Sequence, residues 1–121
     1  MGPKELGRSG EGEAARYLKA RGWLIVGRNV RVGRRELDLI VSRGSVLAFV
    51  EVKSRAGKSF GDPLEAITRK KQLDVVRAAA GWLQGRALPP GTAIRFDAVG
   101  VLWPLKGRAQ ITHVPDAWRM G

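Results

Sequence analysis

Two short apolar runs that carry acids constrain this chain more than any other feature. The first is Glu36-Leu-Asp38-Leu-Ile-Val-Ser42 and the second is Val46-Leu-Ala-Phe-Val-Glu51-Val-Lys53, with Arg43-Gly44-Ser45 between them. Both are short and bounded by turn residues, so they read as neighbouring strands of a hairpin. Successive strand side chains point to opposite faces. On that alternation Leu37, Leu39 and Val41 share one face of the first strand, and Glu36, Asp38 and Ile40 share the other. In the second strand Val46, Ala48, Val50 and Val52 oppose Leu47, Phe49, Glu51 and Lys53. Pairing the two strands can bring Asp38 and Glu51 into one pocket.

Two carboxylates held close repel, and burying them is costly unless a cation lies between them. A hard divalent ion such as Mg²⁺ is held by a few carboxylate oxygens plus water. A lysine two residues past Glu51 can polarise an attacking water and offset charge developing on a phosphate. The set fits metal-assisted phosphodiester hydrolysis. It fits equally an exposed sheet face on which Asp38, Glu51 and Lys53 form cross-strand ion pairs.

A third acid comes from the first helix, expected from Leu6 to Arg21 with Gly22 as its stop. Glu11 lies on the apolar face with Ala14, Ala15 and Leu18, so it points towards the sheet. Glu13 lies elsewhere on the helix and is expected in water. A frayed first turn, or a carboxylate placed near the helix N-terminus, also accounts for Glu11.

The rest of the chain reads coarsely as a mixed α/β domain spanning 1–121, with helices on a central sheet. Trp23 to Val26 is a short strand, and Arg55 to Gly61 a loop. Asp62-Pro63-Leu64-Glu65 is one helix start and Thr68 a second. The helix reaches about Leu83, with Leu73, Val76, Ala80 and Leu83 on one face. Thr92 to Leu102 and Ala109 to Val114 are two further strands. Gly57-Lys58-Ser59 lacks the upstream glycine of a phosphate-binding loop, and Gly10-Glu11-Gly12 lacks the preceding strand of a dinucleotide fingerprint.

Composition narrows the chemistry. With no cysteine and one histidine, His113, the chain has no disulfide, thiolate metal site or multi-histidine site. Catalysis must rest on carboxylates, lysine, arginine, hydroxyls or an oxygen-held metal. Among 121 residues, 22 Lys and Arg stand against 11 Asp and Glu, a net charge of +11. That excess favours a polyanion, nucleic acid before an acidic membrane surface. The N-terminus has no apolar signal segment and no run is long enough to span a bilayer, so a cytoplasmic location without a membrane partner is expected. Arg95 and Asp97 share a strand face and read as a structural ion pair, and His113 as a hydrogen-bonded histidine. The four tryptophans read as packing residues.

Asp38 followed thirteen residues later by Glu51-Val52-Lys53 resembles the D…(D/E)-x-K signature of restriction-endonuclease-like nucleases. More closely, the chain is similar to the small bacterial YraN-like family, relatives of archaeal Holliday-junction resolvases. The similarity runs through GEGEAARYLKARGW (10–23), RELDLIV (35–41) and LAFVEVKSR (47–55). It continues through Gly61, Leu64-Glu65-Ala66-Ile67, Lys70-Lys71-Gln72 and Arg95-Phe96-Asp97, nearly the whole chain. The resemblance implies a restriction-endonuclease-like core and a Mg²⁺- or Mn²⁺-dependent DNA endonuclease, with a preference for branched or structured DNA. It implies metal ligation by Asp38, Glu51 and the Val52 carbonyl, with Lys53 as the catalytic lysine and Glu11 as the helix-one acid. Glu36 becomes a further ligand or a supporting acid. Lys70, Lys71 and Gln72, with Arg55 and Lys58, are the expected nucleic-acid contacts, and resolvase-like relatives imply a homodimer. Arg35 stands where the family usually has Gly, and Gly12 where it usually has a helix former. Two other functions remain open on sequence: a nucleic-acid-binding module that keeps the nuclease fold without cleaving, and a basic protein–protein adaptor.

Overall fold

The computed structural model describes residues 3–57 and 62–119, with residues 3–9 described by their backbone alone. Helix α1 (Pro3–Ala20) leads into β1 (Leu24–Val32), β2 (Arg35–Arg43) and β3 (Val46–Ala56). A 3₁₀ turn (Pro63–Ala66) and α2 (Arg69–Leu83) precede β4 (Ala93–Trp103) and β5 (Gln110–Trp118). The strands form one sheet in the order β1-β2-β3-β4-β5. Every pair is antiparallel except β3 and β4, which run parallel. A parallel pair needs a crossover, and the 3₁₀ turn with α2 supplies it.

Local chemistry sets the element ends. Thr68 Oγ1 caps α2 by accepting the Lys71 N–H at 3.1 Å, and Asp62 accepts the Leu64 N–H at 2.9 Å. Gly22, at φ 90°, closes α1 in the left-handed region. β1 runs on to Val32, well beyond the stretch its apolar start suggests. Its later residues, Gly-Arg-Asn-Val-Arg-Val, are strand because β2 offers a ladder partner for most of them.

The sheet buries both faces. On one, Ala14, Ala15 and Leu18 of α1 pack on Leu39, Val41, Ala48, Val50, Val99 and Val101. On the other, Val75, Val76, Ala78 and Ala79 of α2 pack on Leu37, Ile40, Phe49 and Phe96. The face of α2 is therefore rotated from the expected one: Val76 is buried, but Leu73 is 38% exposed and Ala80 is exposed. Small alanines face inward because Phe49 and Trp82, edge to face at 5.8 Å, already fill the interlayer space. A cavity of about 520 Å³ lies between α2, β4 and β5, lined by Val76, Leu83, Ile94, Phe96 and Trp118 among others. None of the acids from the two strands lines it.

α1 lies so close to the sheet that a Cβ on Gly10 would collide with the Ser54 side chain. The residue before Glu11 is thus glycine for want of space, and the contact fixes the height of Glu11 above the sheet.

Asp97 is fully buried. Arg95 grips it through two bonds of 2.8 and 2.9 Å, His113 Nε2 lies 2.7 Å from its Oδ2, and the Asp116 N–H donates to Oδ1 at 3.0 Å. This confirms the Arg95–Asp97 pair and gives His113 its partner. The last bond shapes β5: between Phe96↔Trp118 and Ala98↔Val114 the ladder loses register, and Asp116 takes φ 51°. Burial pushes the Asp97 carboxyl up, but the bonds from His113, Arg95 and Asp116 together outweigh it and hold the group below the ordinary aspartate range.

A depressed carboxyl stabilises the fold above the unfolded-state pKa of about 4, and loses that contribution as pH falls through its folded value. Asp97→Asn should cost about 3 kcal/mol in urea unfolding at neutral pH, because Arg95 is left without its buried partner. That difference should shrink in acid. Gly10→Ala should lower the unfolding free energy by about 1–3 kcal/mol, and Ser54→Gly in the same chain should restore part of the loss.

Candidate metal centre

The β2–β3 ladder ends at Leu39↔Val50. Beyond it the Asp38 carboxylate takes the place of a backbone acceptor: Asp38 Oδ2 receives the Val52 N–H at 2.9 Å. Strict alternation fails at this point. Leu37 packs in the α2-side core with Ile40, whereas Leu39 and Val41 pack on the α1 side. The expected grouping of Leu37 with Leu39 and Val41 is therefore corrected. The strand bends where its carboxylate is needed, and Asp38 lies between the two faces of the sheet.

Towards α1, carboxylate oxygens of Glu11, Glu36 and Asp38 lie within 4.8 Å of one another. The inward face of α1 brings Glu11 there, as the Ala14, Ala15, Leu18 pattern requires. Burial, followed by the negative charge of Asp38, holds the Glu11 carboxyl above the usual range. A hydrogen bond from Asn29 works against both, with Glu36 raising it further and Arg28 lowering it. Asn29 sits at φ 50°, a left-handed conformation that asparagine tolerates better than most residues. It lies on β1 between the pairs Arg28↔Leu39 and Val30↔Leu37, opposite Asp38.

Towards α2, Glu51 is 4% exposed. Burial first, then its hydrogen bond with Asp38 and the charge of that group, pushes the Glu51 carboxyl up to about 9. Lys71 and Lys53 oppose the rise, and Lys71 Nζ stands 3.8 Å from Glu51 Oε2. Glu51 is thus a buried carboxyl held against a second carboxylate, an arrangement that favours its protonated form when no cation separates the two.

The structure thus joins Asp38 to Glu51 on one side and to Glu11 and Glu36 on the other. Lys53 is half-buried beside them. The Val52 carbonyl points to the same side of β3 as its N–H, towards Asp38, because both groups of a strand residue face one way. All these donors are oxygens, which suits a hard divalent cation and excludes a soft one. Lys71, expected on nucleic acid, stands 3.8 Å from Glu51 and remains partly exposed. The Gln72 amide donates to Ile67 O at 3.2 Å and its oxygen accepts from Arg69 at 3.5 Å, so it braces the start of α2. Lys70 and Arg55 are exposed, and Lys58 lies outside the described residues. Sequence reasoning missed Asn29 and Arg28. A lone asparagine in a strand that is otherwise apolar and basic was the available signal.

The two-layered packing about a five-stranded mixed sheet, with these acids at the β2–β3 split, defines a small α/β protein with a restriction-endonuclease-like core. Residues 10–101 match the model of the family described as "Uncharacterised protein family UPF0102". A UPF0102 protein of Chlorobaculum tepidum is 47% identical over 98% of this chain and 95% of its own length. One from Leifsonia xyli subsp. xyli is 44% identical over 92% of this chain and 93% of its own, and one from Symbiobacterium thermophilum 41% over 95% and 97%. The chain belongs to UPF0102, the YraN family. The matched span includes Glu11, Glu36, Asp38, Glu51 and Lys53.

A raised carboxyl has the opposite sign from Asp97. The folded state keeps a proton the unfolded chain has lost, so Glu51 subtracts stability as pH rises from about 4.5 towards about 9. Asp38→Asn keeps an acceptor for Val52 and removes the charge facing Glu51. Its urea midpoint should fall less with pH than that of wild type when both are followed from pH ~5 to ~9. Asp38→Ala also loses the acceptor and should be less stable than Asp38→Asn by about 1–2 kcal/mol.

Proposed function

We propose that this protein is a divalent-metal-dependent DNA endonuclease that hydrolyses phosphodiester bonds, with branched or structured DNA as its preferred substrate. The observation that carries this reading is Asp38. It touches Glu51 and lies with Glu11 and Glu36, an arrangement with a mutual repulsion that an ion pair on a sheet surface would not create. Asp38, Glu51 and the Val52 carbonyl would hold Mg²⁺ or Mn²⁺, with Glu11 and Glu36 on its other side. The ion, when bound, supplies the positive charge that polarises the phosphate. Lys53 orients the attacking water and offsets charge on the phosphate oxygens. Lys71, paired with Glu51, holds that carboxylate in position. The net charge of +11 draws the polyanionic substrate. On this reading the protein works in the cytoplasm, as a homodimer on two symmetric strands of a junction. No helix among the described residues is long and apolar enough to cross a membrane.

The test is cleavage of labelled four-way-junction, flap, duplex and single-stranded DNA with Mg²⁺, with Mn²⁺ and with chelator. Cleavage should require metal and should vanish in Lys53→Ala. That variant should still gain thermal stability from Mg²⁺, because lysine is not a ligand, whereas Asp38→Asn should lose most of the gain. Metal that stabilises wild type and Asp38→Asn equally would make Asp38 a structural residue. Tight binding without cleavage of any substrate would leave a nucleic-acid-binding module in a nuclease fold.

A further inference from the structure

Past the Leu39↔Val50 pair, β1 and β2 continue together without β3, from Arg28↔Leu39 to Val32↔Arg35. They form a two-stranded arm that extends beyond the sheet. The arm is anchored to α2. A Cβ on Gly81 would lie 2.7 Å from Val32 Cγ1, so helix and strand meet at van der Waals distance, and Arg35 Nε lies 3.5 Å from Asp74 Oδ1. Val30 and Val32 pack into the α2-side core, so Arg31 between them faces the other way. Glu36 of the acid group is its cross-strand neighbour.

The outward side of this arm is basic. Arg28, Arg31 and the tip residue Arg34 are exposed. Among the described residues none of the three makes an ion pair, although Arg28 lies close enough to Glu11 to lower its carboxyl. Several arginines elsewhere are engaged: Arg95 on Asp97, Arg43 on the Arg21 carbonyl and the Trp23 ring, Arg86 on the Trp82 ring. At about 3.3 Å per residue, Arg28 stands roughly 13 Å from Val32 at the end of β1, with Arg34 in the turn just beyond, an axial length of about four phosphates on one DNA strand. Unpaired guanidiniums on an anchored ribbon need little reorganisation to meet a phosphate backbone.

We infer that the β1–β2 arm is a nucleic-acid clamp: Arg28, Arg31 and Arg34 hold the phosphates of a DNA duplex strand and lay it across the acids at the β2–β3 split. The inference rests on the nuclease reading and gives its site a binding surface, one that adjoins the acids on the side away from α2.

The experiment measures binding of fluorescently labelled duplex DNA by polarisation over a range of salt, in chelator so that nothing is cut. Arg31→Ala/Arg34→Ala is compared with Lys19→Ala/Arg119→Ala, which removes the same charge from the end of α1 and from beyond β5. The arm variant should bind roughly tenfold to a hundredfold more weakly at low salt, with a log–log salt slope smaller by about two. The control should keep the slope of wild type, and Arg31→Lys/Arg34→Lys should restore most of it. Equal losses in arm variant and control would overturn the clamp while leaving the nuclease reading intact, since net charge alone would then explain binding. If wild type binds duplex and four-way-junction DNA alike weakly and without salt dependence, both fall together. Unchanged melting temperatures would show that the exposed arginines do not act through folding.

Discussion

The hydrogen bond from the Val52 N–H to the Asp38 carboxylate is the contact on which the rest of this site depends. Where β2 and β3 separate, a buried backbone donor must still find an acceptor. Asp38 provides one, and in doing so its carboxylate is held in the plane of the sheet. From there it reaches Glu51 on the α2 side and Glu11 with Glu36 on the α1 side. An acceptor that was neutral would satisfy the backbone as well. The charge is therefore not needed for the ladder, and it raises the Glu51 carboxyl that the fold has already buried.

The same residues separate structural from chemical use of charge. Asp97 is as buried as a carboxylate can be, yet four hydrogen bonds from Arg95, His113 and the Asp116 backbone keep it ionised. Glu51 is nearly as buried and has Lys71 at 3.8 Å, and the charge of Lys53, to set against burial and a neighbouring carboxylate. One network is complete without a ligand, and the other is left with unbalanced negative charge at its centre. In a chain with twice as many cations as anions, such an imbalance is a local arrangement and does not follow from composition.

Much of the fold was legible because it follows from local rules. The Asp62 and Thr68 caps, the Gly22 stop, the hairpin around Gly44 and the inward face of α1 all appear where turn chemistry and periodicity put them. The length of β1 was not legible, because its second half is held as strand by β2 and α2 and not by its own propensity. The buried face of α2 was misjudged for a related reason. Leu73 is more apolar than Ala78 or Ala79, but only small residues fit against Phe49 and Trp82.

For the site, sequence determined which groups were available: the acids at 36, 38 and 51, the lysine at 53, the acid on the inner face of α1, and no thiol or second histidine to offer other chemistry. These are properties of residue type and short spacing, and the chain carries them whatever its shape. Tertiary structure decided how they meet. Alternation alone assigns Asp38 to one face or the other, whereas the end of the ladder leaves it between both. It also decided that Lys71 turns to Glu51, that Asn29 braces Glu11 from a left-handed backbone, and that Arg31 stands beside Glu36. The first two of those contacts join residues far apart in the chain, and their distances depend on where β2 leaves β3 and how closely α1 and α2 press on the sheet.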